Sequence, residues 1–70
     1  MMTFAELKTW LENQFQRPGQ RLEYNDERGY MFRWEDGHSY EYQILTRNIH
    51  QQTVSHRIDG AEVLRTSSSW

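Results

Sequence analysis

The residues here with types suited to chemistry are three histidines, ten aromatics and a scatter of carboxylates in a chain of 70 residues. Only the imidazoles titrate near neutral pH. His50 and His56 lie on one expected strand face, yet roughly 20 Å apart in extended chain, too far to share a metal ion. His38 follows Asp36-Gly37 and is placed for a local hydrogen bond to Asp36. Ser55 and His56 are neighbours on an expected strand, so their side chains point to opposite faces, unlike a nucleophile and its base. Glu41, flanked by Tyr40 and Tyr42, sits on the outer face diagonal to Arg33, an ion-pair placement. An enzymatic reading would join His38 with Tyr40 or Glu41 in a pocket. No glycine-rich phosphate loop or metal-ligand spacing occurs. The sequence therefore predicts no catalytic, cofactor or metal site.

Two sets of apolar residues carry the binding alternatives. Tyr24, Tyr30, Phe32, Trp34, Tyr40 and Tyr42 fall on even positions and make one aromatic face. Such a face can stack the bases of single-stranded nucleic acid, or it can be the core beneath a helix. Ten acidic against eight basic residues, for a net charge of −2, give no basic surround for a stacking platform. The core assignment is the expectation, and nucleic acid is not the expected partner. The second set is Trp10, Met31, Leu45, Ile49 and Trp70, which fit neither the helix stripe nor the inner sheet face. Tryptophan and methionine are common interface anchors, so these five are the candidate contact patch for a protein partner or a second copy of the chain.

The elements that position these residues follow from periodicity. Thr3-Phe4-Ala5-Glu6 is a capping box. Phe4, Leu7, Leu11 and Phe15 then recur at helical spacing and predict an amphipathic helix with that stripe facing the sheet, ended by Pro18-Gly19. From Arg21 the period becomes two, predicting strands that carry Leu22 and Tyr24, then Tyr30 to Trp34, then Tyr40 to Ile44. Parity selects three-residue loops ending in glycine. Glu35-Asp36-Gly37 sets Phe32 opposite Tyr40, and Glu27-Arg28-Gly29 sets Tyr24 opposite Phe32, Glu23 opposite Arg33 and Arg21 opposite Glu35. Gln52, Val54, His56 and Ile58 predict a fourth strand after a turn near Arg47-Asn48, with Leu45 and Ile49 marking a bulge or an exposed patch. Asp59-Gly60 admits two continuations: a short helix, or a tight hairpin into a fifth strand with Arg57 opposite Glu62. Ser67-Ser68-Ser69 reads as a frayed tail.

The expected fold is thus α+β: an N-terminal amphipathic helix on a four-stranded antiparallel meander, with a short C-terminal helix or fifth strand. One domain spans residues 1–66 and a flexible tail spans 67–70. The order of helix and three strands resembles that of double-stranded-RNA-binding domains over the first two-thirds of the chain. However, Gly60-Ala61-Glu62-Val63-Leu64 stands where those domains carry basic lysines, and no family is assigned. With no cysteine, disulfides and cysteine-based zinc sites are excluded, and a domain this small gains from self-association. No apolar run spans a bilayer, and no secretory signal pattern opens the chain. A cytoplasmic, non-enzymatic interaction module is the expectation.

Overall fold

A computed structural model describes residues 1–22 and 28–70. Helix α1 covers Phe4–Gln14. The Thr3 hydroxyl accepts from the Glu6 N–H at 3.1 Å, and the Glu6 carboxylate accepts from the Thr3 N–H at 2.9 Å. Those bonds satisfy two of the orphan donors at the helix start and hold the Glu6 carboxyl below its usual range.

Among the described residues five antiparallel strands follow: β1 Gly19–Leu22, β2 Gly29–Trp34, β3 Ser39–Arg47, β4 Gln51–Ile58 and β5 Ala61–Ser69. They lie in the sheet in chain order, β1-β2-β3-β4-β5. The β2–β3 loop is the expected one. Phe32 pairs with Tyr40, the Trp34 N–H donates to the His38 carbonyl at 2.9 Å, and Gly37 takes φ +95°, a left-handed conformation that glycine adopts without strain. The choice at Asp59-Gly60 resolves to the hairpin. Both residues have positive φ, as a type I′ turn requires, and Arg57 pairs with Glu62. A bulge falls between Ile44 and Thr46, where Leu45 breaks the parity.

Two expectations about the strands are corrected. The β1 register is offset, so that Arg21 stands opposite Phe32 rather than Glu35, and Leu22 opposite Met31. Gly19 lies beneath Trp34, where an added Cβ would come within 2.5 Å of the indole Cδ1. That close fit of a side-chain-free residue under an indole outweighs the weak cross-strand charge pairing on which the expected register rested. The expected placements of Glu23, Tyr24 and Glu27 lie outside the described residues. Ser67, Ser68 and Ser69 are not a tail but the end of β5, paired with Thr53, Gln52 and Gln51. The long β4 supplies them with a hydrogen-bonding edge. Glu41 has its expected place diagonal to Arg33, and it reaches Arg57, directly opposite on β4, at 3.8 Å.

The helix is rolled relative to the expected stripe. Leu7 and Gln14 are buried and Trp10 and Leu11 are half-buried, a set at helical spacing, whereas Phe4 is 63% and Phe15 49% exposed. Leu7 packs with Trp34 and Tyr40 at the centre of the core. The roll has a polar cause. The Gln14 amide donates to Asp36 Oδ2 at 2.8 Å, and Arg17 Nη1 reaches the same oxygen at 2.6 Å. Asp36 Oδ1 also accepts from the His38 N–H at 3.0 Å. These donors, the His38 N–H foremost, hold the Asp36 carboxyl down to about 2 and pin the helix end to the β2–β3 turn.

Candidate functional site

Rolling the helix closes one of its flanks and opens the other. On the closed flank the Trp10 indole packs edge-on to Trp34 at 5.7 Å and to His38 at 6.1 Å. His38 in turn meets Asp59 at 3.0 Å, and Asp59 also accepts from the Ser39 N–H at 3.0 Å. The Met2 N–H donates to the Val63 carbonyl at 2.8 Å. Helix, β2–β3 turn and β4–β5 turn are therefore stitched together at this end.

On the open flank a groove of about 300 Å³ runs between the helix and the sheet. Phe4, Lys8, Leu11 and Phe15 form its helix wall, with Glu12 at the rim. Its floor is aromatic. Tyr30 and Tyr42 lie parallel across the β2–β3 pair with centroids 4.9 Å apart, and Tyr40 and His56 sit beside them. Phe15 leans on Phe32 at 4.8 Å and on Trp34 at 5.5 Å while keeping half its surface in water.

A hydrogen-bonded chain underlies the floor. The Tyr40 hydroxyl is 2.7 Å from His56 Nδ1, and His56 Nε2 is 2.9 Å from the Thr66 hydroxyl. Burial pushes the Tyr40 hydroxyl up, with neighbouring Tyr30 and Tyr42 adding to it, and burial pushes His56 down. At neutral pH the tyrosine is protonated and the imidazole neutral. If Tyr40 donates to Nδ1, the Nε2–H donates to Thr66 and each polar atom has a partner. This arrangement holds rings in place, since both imidazole nitrogens are already engaged. The expected local hydrogen bond from His38 to Asp36 forms through the backbone N–H, while the His38 imidazole meets Asp59 and Tyr40 meets His56 rather than His38.

The five expected contact residues are not gathered into one patch. Trp10 lies on the closed flank. Met31, half-buried on β2, is paired with Glu41 on the face away from the helix. Leu45 at the bulge, Ile49 at the β3–β4 turn and Trp70 share the far end of the long hairpin, 40%, 81% and 65% exposed. The Trp70 N–H donates to the His50 carbonyl at 2.9 Å, and the Asn48 side chain accepts from the His50 and Gln51 N–H groups to close the turn. Phe4 and Phe15 were missed as surface residues because their spacing matches a buried stripe. The signal that finds them is the competing set Leu7, Trp10, Leu11, Gln14, which shows the same spacing with one polar member.

Among the described residues no group of histidine and carboxylate side chains is placed to hold a metal ion. No described helix is long and apolar enough to cross a membrane. No family model, curated protein or solved structure matches the chain.

Proposed function

We propose that this chain is a non-enzymatic protein-interaction module whose contact surface is the groove between α1 and strands β2 to β4. The observation that carries this reading is the pair of exposed phenylalanines, Phe4 and Phe15, at the two ends of a groove with a tyrosine floor. Large aromatic groups left half in water beside a concave apolar surface are typical of partner-binding sites. The hairpin end with Leu45, Ile49 and Trp70 is a second exposed apolar surface of the same molecule.

The groove reading is tested with the apolar dye 1-anilinonaphthalene-8-sulfonate in dilute protein solution. Phe4→Ser combined with Phe15→Ser is expected to abolish its fluorescence enhancement, and Ile49→Ser to leave it unchanged, with near-UV circular dichroism verifying the fold of each. The opposite pattern would move the contact surface to the hairpin end.

The parallel Tyr30–Tyr42 pair favours one second reading, stacking of single-stranded nucleic acid on the floor. Lys8 is the cation on the helix wall and Glu12 stands at the same rim, so the electrostatic support for a phosphate backbone is thin. Titration with an oligonucleotide at low salt would quench tryptophan emission under that reading and leave it unchanged under the protein reading.

A further inference from the structure

We infer that the occupant of the groove is a second copy of this chain, with the two α1 helices packed antiparallel along their open flanks about a two-fold axis. This rests on the groove being the contact surface and goes further by naming what fills it.

The open flank has the symmetry that such a contact requires. Phe4, Lys8, Leu11 and Phe15 descend one side of the helix, with Glu12 one step beyond Leu11. The phenylalanines lie equally far from the midpoint between Thr9 and Trp10. Lys8 and Glu12 lie equally far from Trp10, half a residue away. When a second helix is turned end for end about that point, its Phe15 comes level with Phe4. Its Glu12 comes level with Lys8 to within one residue, a displacement of about 1.5 Å along the axis. Every contact is then made twice, as an isologous interface demands. An unrelated partner would not need matching aromatic ends and opposite charges placed about one centre.

The charges point the same way. Lys8 and Glu12 are both exposed, and among the described residues neither makes an ion pair. Lysine four residues before glutamate is the less favourable order for a pair within one helix. Across an antiparallel contact the order no longer matters, and the two helix dipoles also oppose each other. Burial supplies the need. The buried apolar residues among those described are Leu7, Trp34, Tyr40 and Val54, a small core for a chain without disulfides.

Sedimentation velocity from roughly 1 µM to 1 mM protein tests the inference. The wild-type chain is expected to dimerise in this range. Lys8→Glu and Glu12→Lys should each weaken the dimer on the order of tenfold, because two like-charge contacts replace two attractive ones. The double variant Lys8→Glu/Glu12→Lys should recover wild-type affinity, and mixing the two single variants should recover a heterodimer. A wild-type chain that stays monomeric, or a dimer indifferent to Lys8→Glu, overturns the inference. A dimer lost through Ile49→Ser overturns it too and places the contact at the hairpin end. The underlying reading fails separately: a monomer whose dye binding still depends on Phe4 and Phe15 keeps the groove and loses only the second copy, whereas a monomer that binds no dye loses both.

Discussion

The two flanks of α1 carry similar aromatic side chains and reach opposite states. Trp10 is half-buried against Trp34 and His38 on one side, while Phe4 and Phe15 keep about half or more of their surface in water on the other. Hydrophobicity alone does not make that choice, because all three rings gain from burial. The choice is made at the helix end, where Asp36 gathers Gln14, Arg17 and the His38 N–H and rolls the helix toward the turns. A polar contact worth little alone thus decides which aromatic residues become core and which become surface.

The largest expected effect is on the closed flank. Trp10→Ala should lower the unfolding free energy by about 3 kcal/mol in urea titrations, since it removes a half-buried indole and its edge-on contact. In a domain of this size that approaches the whole net stability, about 3–5 kcal/mol. If Trp10→Ala proves as mild as a change on the open flank, the contrast between the flanks is broken. Next comes the anchor. Gln14→Ala should cost about 1–2 kcal/mol by deleting a buried amide bonded to a carboxylate, and it should raise the solvent accessibility of Trp10 to acrylamide quenching.

Acid separates the groove floor from the helix anchor. The folded-state pKa of His56 lies below its ordinary 6.5, so the unfolded chain binds the proton first. Stability is therefore expected to be full above that value and to fall as the pH drops below it, with His56→Gln flattening this limb in urea midpoints taken between neutral and mildly acidic pH. Asp36 acts in a lower window. Its carboxyl is depressed from 3.8 to about 2, so its contribution is present above 3.8 and lost as pH falls through about 2, and Asp36→Asn should remove that step. The smallest effect belongs to the open flank: Phe4→Ser, at a position 63% exposed, should change monomer stability by no more than about 0.5 kcal/mol.

Features with local causes were legible in the sequence. The capping box needs only Thr3 and Glu6, and the β2–β3 loop only parity and Gly37; at Asp59-Gly60 the sequence left a short helix and a hairpin both open. Features with distant causes were not. The roll of the helix depends on Gln14 finding Asp36, 22 residues away, and no periodicity contains that. The β1 register depends on Gly19 fitting under Trp34, and the pairing of Ser67 to Ser69 depends on the reach of β4. The aromatic floor was legible as a set of residues. Its half-open state follows from the helix roll and was hidden with it.

The strand order has a consequence in time. Because each strand pairs with its neighbours in the chain, every ladder closes a short loop, and loop entropy opposes sheet assembly only weakly. The helix is the exception. Leu7 must find Trp34 and Tyr40, and the Met2 N–H must find the Val63 carbonyl near the other end of the chain. Helix docking is accordingly the step with the longest reach, and substitutions along α1 should speed unfolding more than they slow refolding. The groove takes its wall from the docked helix and its floor from the sheet, so it exists only on a molecule in which both are in place.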